Sequence, residues 1–237
     1  MVNPAVTKSV KSGEKLRQIR SFARRSGRLR PSQRDALENF WDLYGISFQD
    51  HELDINSMLN GFKNLKVEVG FGVGSSLVQM AISDPDSLYL GIEVHQPGIG
   101  NCIKLIREQN VGNLKLIQHD AIEVLQYMLP EMSVDKLFLF FPDPWHKTRH
   151  NKRRIVNQLF RDLIFKILKP QGILHMATDW QHYAEHMAKD LLADSRFENL
   201  GNKSAYAAKP DYRPQTKFER RGLKLGHGVW DLLFRKL

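Results

Sequence analysis

One cysteine, Cys102, stands in a chain of 237 residues, so neither a disulfide within the chain nor a cysteine-built zinc cluster is available. A reducing compartment is the expectation that follows, and with it the cytoplasm. No stretch of about 18 apolar residues occurs, and no secretory apolar segment, so the sequence predicts no membrane-spanning helix. No repeat with a period of about 20 to 50 residues is found, which removes solenoids and propellers. Acids are nearly missing from residues 1–34, where Glu14 stands alone against ten Lys and Arg. That segment carries the whole net charge of +9, and the remaining residues balance 25 basic against 25 acidic side chains.

What is present is a globular composition, 42% hydrophobic and 26% charged, unlike that of a disordered or membrane-embedded chain. The length fits one domain with a short extension. We therefore expect a basic arm over residues 1–34 and a single domain over 35–237. The arm has few large apolar side chains to offset its ordering entropy, so it is expected to be flexible when unbound. Its charge points to a polyanion, and a nucleic-acid arm is one reading. A mitochondrial transit peptide has a similar composition, but the arm lacks that peptide's amphipathic stripe.

Beyond the arm, apolar spacing predicts a helix over 32–44 and a turn-rich linker to 61. Strands follow at 65–69, 88–94, 114–118, 134–141 and 172–177, alternating with helices at 75–82, 98–109, 122–128, 153–168 and 180–192. This alternation means βαβ units and a parallel sheet with right-handed crossovers. The stretch 228–234 alternates like a half-buried strand and predicts an antiparallel hairpin closing the sheet.

Ligands of such sheets bind beyond the carboxyl ends of the strands, so the residues there are the candidate ligand contacts. After the first strand comes Glu68-Val69-Gly70-Phe71-Gly72-Val73-Gly74, where the glycines permit a tight turn and close backbone approach. The spacing differs from the G-x-G-x-x-G of dinucleotide sites, and Glu68 would repel a pyrophosphate. A carboxylate there suits an ammonium group. Glu93 ends the next strand, where it can accept from both hydroxyls of a ribose, and Asp120 follows the third, where it can accept from an adenine amine. Each acid alone reads as a helix cap. Together they match S-adenosylmethionine, and the strand ends resemble those of class I S-adenosylmethionine-dependent methyltransferases.

The fourth strand end reads Phe141-Pro142-Asp143-Pro144-Trp145. The two prolines restrict their own and the preceding φ and aim the Asp143 carboxylate. Trp145 offers a stacking face, and Lys147, Arg149, Lys152, Arg153 and Arg154 could hold phosphates around a base. Cations are unfavourable in the first turn of a helix, so on the expectation of a helix from 153 this run reads as a phosphate site.

With Glu68-Val69-Gly70-Phe71-Gly72, Gly91-Ile92-Glu93-Val94-His95, the Pro-Asp-Pro-Trp segment, Ala177-Thr178-Asp179, Thr216-Lys217-Phe218-Glu219-Arg220-Arg221-Gly222 and Ile19-Arg20-Ser21-Phe22-Ala23-Arg24-Arg25, the chain resembles the bacterial tRNA (guanine-N7-)-methyltransferase family over nearly its whole length. The resemblance implies an α/β, Rossmann-like fold with a mostly parallel seven-stranded sheet, helices on both faces and a C-terminal antiparallel hairpin. It implies S-adenosyl-L-methionine as cofactor, held by Glu68, Gly70, Gly72, Glu93, Asp120 and Asp143, with Asp143 also catalytic. Substrate contact falls on Lys147, Asp179, Thr216, Lys217, Phe218 and Glu219, and RNA contact on Arg149, His150, Asn151, Lys152, Arg153 and Arg154. The partner is tRNA, methylated on a guanosine of its variable loop, by a monomer or homodimer without a metal.

Guanine N7 already carries a free lone pair, so its attack on a sulfonium methyl needs no general base and no covalent intermediate; positioning is most of the task. Asp143, with Asp179 or Glu219, can accept from the guanine N1–H and 2-amino group. The weaker reading of Glu219 is a surface ion pair with Arg220 or Arg221. The other readings are an RNA-binding protein on a methyltransferase scaffold, a methyltransferase acting on another RNA, and one with a protein or small-molecule acceptor. Intact acids at all four strand ends argue against the first, and the basic run against the last. His182-Tyr183-Ala184-Glu185-His186 fits a zinc-peptidase pattern but has no supporting ligand cluster.

Overall fold

A computed structural model describes residues 20–22, 28–201, 204–216, 219–220 and 228–237. The described residues form one eight-stranded sheet, in the order β1-β4-β3-β2-β5-β6-β8-β7. Its strands are β1 (Gly45–Ile46), β2 (Asn64–Val69), β3 (Ser87–Glu93), β4 (Leu114–Gln118), β5 (Val134–Phe140), β6 (Leu168–Thr178), β7 (Phe197–Asn199) and β8 (Trp230–Lys236). β1 through β6 pair parallel with one another, and β8 lies antiparallel between β6 and β7.

The central strands are apolar because both faces are covered, as a parallel sheet requires. In β3 every residue but Glu93 is buried. One core lies between the sheet and α3 (Ser75–Ser83) and α4 (Gln96–Glu108), with α1 (Pro31–Tyr44) packed on α4. The other lies on the side of α6 (Gln158–Ile167) and α7 (Gln181–Leu192), where Phe160, Ile164, Tyr183 and Met187 join Leu65, Leu137 and Leu174. β2 sits between β3 and β5, so the chain reverses direction of travel across the sheet at the β2–β5 boundary, which opens a crevice at their carboxyl ends.

Several expectations are corrected. The sheet has eight strands rather than seven, because Gly45–Ile46 adds to the β4 edge; two residues are too few to show alternation in sequence. The linker that contains them also holds a short helix, α2 (Ile55–Leu59), capped by Asp54, which accepts from the Ser57 amide at 3.0 Å. The expected helix over 153–168 starts only at Gln158, capped by Asn157, whose Oδ1 accepts from the Phe160 amide at 3.2 Å. The basic run instead forms a 3-10 turn, Thr148–Arg153, so the helix-dipole argument does not bear on it. After β4 the helix is a single turn, α5 (Ala121–Glu123), continued by a π turn over Val124–Met128. α1 begins at Pro31, so the arm boundary at 34 falls inside it. Residues 1–19 and 23–27, most of the arm, lie outside the described residues.

Candidate functional site

The turn after β2 depends on its glycines. Gly70, Gly72 and Gly74 have φ of 73°, 61° and 82°, a region costly to residues with a Cβ. α4 presses against this turn at a second glycine position. A Cβ on Gly98 would stand 2.1 Å from the Gly72 carbonyl oxygen, so α4 can reach the turn only because residue 98 is glycine.

Glu93 ties the same turn from the other side. Its Oε2 accepts from the Gly72 amide at 2.9 Å, and its Oε1 accepts from the Val94 and His95 amides at 2.7 and 3.0 Å. A carboxylate held by three backbone donors is fixed in direction and keeps lone pairs for a diol. Asp120 caps α5 through Oδ1, which accepts from the Ile122 amide at 3.1 Å. Burial raises its carboxyl above the ordinary range. The capping and ligand readings of this residue are therefore compatible, since Oδ2 has no part in the cap.

Glu68 is the anomaly of the site. It is 3% exposed, and its Oε2 is buried without a hydrogen-bond partner. Burial, followed by repulsion from Glu93, pushes its carboxyl up to about 8. A buried acceptor without a donor is destabilising unless something supplies one. The N–H donors of an amino-acid ammonium have the required sign. Together with the glycine cradle, Glu93 and Asp120, this orphaned oxygen fits S-adenosylmethionine.

The Asp143 turn leaves β5 at a bend. Phe141 has φ 50° and Trp145 φ 48°, so two residues with side chains bracket the Pro-Asp-Pro segment in a strained backbone region. The Phe141 amide donates to the Ala177 carbonyl at 2.7 Å, pinning the turn to β6. Asp143 itself is exposed. Beside it, the His146 ring lies 4.3 Å from Trp180, edge to face. Trp180 belongs to a cleft of about 580 Å³ lined by Asp179, Gln181, His182, Glu185, Gly228 and Trp230. The structure therefore brings Asp143 and Asp179 to neighbouring strand ends with an aromatic-walled cleft beside them. His146, Trp180, Trp230 and Gly98 were not singled out from sequence.

The basic run divides in two. Lys147, Arg149 and Lys152 are exposed, and His150 and Asn151 are half-buried. Arg154 is 3% exposed and turned inward: Nε donates to the Pro144 carbonyl at 3.0 Å, Nη2 lies 3.2 Å from His182 Nδ1, and the guanidinium lies over Tyr183. It ties the Asp143 turn to α7, whereas the sequence reading expects it among the RNA contacts. Arg153 stacks 3.8 Å over Trp145 and donates to the Arg20 and Phe22 carbonyls, while Trp145 Nε1 donates to the Ser21 carbonyl. Residues 20–22 thus lie on the very surface expected to stack a base.

Glu219 is 5% exposed, and Lys209 and Arg213 donate to it. Thr216 Oγ1 accepts from the Glu219 amide at 3.1 Å. Lys217 and Phe218 lie outside the described residues. In the zinc-like pattern, His186 Nε2 bonds the Val156 carbonyl, His182 faces Arg154, and Glu185 accepts from Gln181. Among the described residues no three His, Cys, Asp or Glu side chains gather as a metal set, and no helix is long and apolar enough to cross a membrane.

A parallel sheet with an antiparallel end, a glycine turn after β2 and acids at four successive strand ends define a class I S-adenosylmethionine-dependent methyltransferase. Solved structures agree at the level of fold. The aminoglycoside resistance methyltransferase NpmB1 superimposes with a TM-score of 0.53 over 78% of this chain and 92% of its own, at 14% identity. A 16S rRNA (adenine(1408)-N(1))-methyltransferase from Catenulisporales acidiphilia, solved with its cosubstrate SAM, gives 0.53 over 78% and 92%, at 15% identity. A family model described as a putative methyltransferase matches residues 63–232. A tRNA (guanine-N(7)-)-methyltransferase of Yersinia enterocolitica is 48% identical over 237 residues, covering 100% of this chain and 99% of its own. Its counterpart in Serratia proteamaculans shows the same identity and coverage. The chain belongs to the tRNA (guanine-N7-)-methyltransferase family.

Proposed function

We propose that this chain transfers a methyl group from S-adenosylmethionine to N7 of a guanosine in the variable loop of tRNA. The observation that carries this reading is the set of acids at the carboxyl ends of β2, β3, β4 and β5, one of them with an orphaned oxygen, beside a cleft walled by Trp180 and Trp230. When bound, S-adenosylmethionine supplies an electrophilic methyl on a positively charged sulfur.

The chain's own residues have four tasks. Glu68, the Gly70–Gly72 turn, Glu93 and Asp120 hold and orient the cofactor. Asp143 and Asp179 accept from the guanine N1–H and 2-amino group, which turns N7 toward the methyl. Because the N7 lone pair is free, no residue has to remove a proton before attack. Positive charge grows on the base as the bond forms, and a nearby Asp143 carboxylate stabilises it in place of water. Lys147, Arg149 and Lys152 contribute phosphate contacts that fix the register of the RNA.

The reading is tested with tRNA transcripts carrying guanosine or 7-deazaguanosine at the target position. The expected result is methyl incorporation into the first and none into the second, at equal tRNA binding. Incorporation into both would overturn attack by N7.

A further inference from the structure

Arg154 is buried, charged and left without a task by the proposed chemistry. It is 3% exposed, and among the described residues its guanidinium meets a carbonyl, an imidazole and an aromatic ring, with no carboxylate beside it. A buried cation without a counter-ion costs stability. Its contribution therefore has to lie in what it holds.

What it holds is the exit of the Asp143 turn. Phe141 and Trp145, at φ of 50° and 48°, bracket Pro142-Asp143-Pro144, and backbone of this kind persists only where its surroundings over-determine it. Neither proline has an N–H, so the turn has few donors of its own. At the entry the Phe141 amide donates to the Ala177 carbonyl at 2.7 Å. At the exit Arg154 Nε donates to the Pro144 carbonyl at 3.0 Å. That oxygen belongs to the peptide joining Pro144 to Trp145, so the contact fixes the peptide plane that leads from Asp143 into the strained residue.

Arg154 is in turn held from three sides. Its amide donates to the Asn151 carbonyl at 2.9 Å, closing the 3-10 turn that displays Arg149 and Lys152. Its carbonyl accepts from Asn157 Nδ2 at 3.1 Å, and Asn157 caps α6. Its side chain rests on α7, where Nη2 lies 3.2 Å from His182 Nδ1 and the guanidinium carbon lies 4.7 Å over the fully buried Tyr183 ring. A guanidinium has no acceptor, so His182 Nδ1 takes the hydrogen bond. A desolvated cation over an aromatic face is the stronger form of that contact.

We propose that Arg154 is a positioning residue for methyl transfer: seated on Tyr183, it fixes the peptide after Pro144 and through it the direction of the Asp143 carboxylate. The inference rests on the proposed role of Asp143 and deepens it. Because Arg154 also closes the turn that carries Arg149 and Lys152, the segment that meets RNA and the segment that orients the base are built on one residue.

The test compares wild type with Arg154→Met, Arg154→Lys, Tyr183→Leu, Lys152→Gln, Asp143→Asn and the Arg154→Met/Asp143→Asn double variant, reading kcat at saturating tRNA and tRNA affinity across a salt series. Arg154→Met should lower kcat by on the order of 100-fold, the effect of a displacement of about 1 Å at the reacting groups, while tRNA affinity and its salt slope are kept. Lys152→Gln should weaken tRNA binding and flatten that slope by about 1. Arg154→Lys should recover part of kcat, since an ammonium can reach the Pro144 carbonyl but cannot also fork to His182. The double variant should be no slower than Asp143→Asn alone, because Arg154 acts through Asp143; a merely structural residue would multiply the two losses. Should Arg154→Met fail to fold, Tyr183→Leu carries the test, with a lowered kcat at unchanged tRNA affinity expected. An Arg154→Met enzyme with wild-type kcat, one that behaves like Lys152→Gln in affinity and slope, a double variant with multiplied losses, or in the fallback a Tyr183→Leu enzyme with wild-type kcat would overturn the proposal. Full turnover by Asp143→Asn would instead remove the reading beneath it.

Discussion

Replacing Glu68 by Gln should make the cofactor-free protein more stable as pH rises, while weakening its hold on the cofactor. The carboxyl is buried, one oxygen lacks a donor, and Glu93 adds repulsion, which together raise it from 4.5 to about 8. At about 1.4 kcal/mol per tenfold, ionising it in the fold costs roughly 5 kcal/mol more than in the unfolded chain. The sign follows from proton binding. Below about pH 4.5 both states hold the proton and the fold keeps its full stability. Between 4.5 and 8 the unfolded state ionises first, and stability falls by about 3 kcal/mol at pH 7 and by the full amount above pH 8. Glutamine has the same shape and no charge, so Glu68→Gln removes this slope. Urea denaturation without cofactor, at pH 5, 7 and 8.5, should show the variant's advantage over wild type widening by about 2 kcal/mol from pH 5 to 7 and by about 4 by pH 8.5. Calorimetry should in turn show S-adenosylmethionine bound on the order of 10- to 100-fold more weakly by the variant, the loss of one charge-assisted hydrogen bond. Parallel stability curves for the two proteins across this range would refute the reasoning.

Asp143→Asn keeps the shape of the turn and removes its charge, and should lower kcat by on the order of 100-fold with cofactor affinity reduced less; wild-type turnover would contradict its role. Gly98→Ala places a methyl where the Gly72 carbonyl stands, so it should push α4 off the glycine turn, cost about 1 to 3 kcal/mol in denaturation experiments, and weaken cofactor binding. Removing residues 1–19 takes away Lys8, Lys11, Lys15 and Arg17 against one acid, Glu14. The slope of log K for tRNA against log salt should flatten by ~3, and a slope unchanged from the full chain would exclude residues 1–19 from phosphate contact.

The α/β order was readable because both faces of the central strands are covered, which writes them as apolar runs such as Leu88 to Ile92. The acids at the strand ends were readable for a related reason: a polar residue directly after such a run must face the crevice. What stayed hidden depends on contacts across long sequence distances. β1 is two residues whose only signal is the β4 edge it joins. Ile155 and Val156 look like the opening of a helix, yet they are buried in a non-helical bend ahead of Asn157. Arg154 reads as one more cation in a basic run, and its burial is set by Pro144 and His182. Arg213 carries no pattern at all. Its partners lie six and eighteen residues away, brought together only when β8 inserts between β6 and β7.

The central claim is tested most directly by incubating the purified chain with methyl-labelled S-adenosylmethionine and tRNA that lacks the modification, then mapping the labelled nucleotide. The account predicts 7-methylguanosine at a single variable-loop guanosine. No transfer, a different methylated base, or label elsewhere in the tRNA would contradict it.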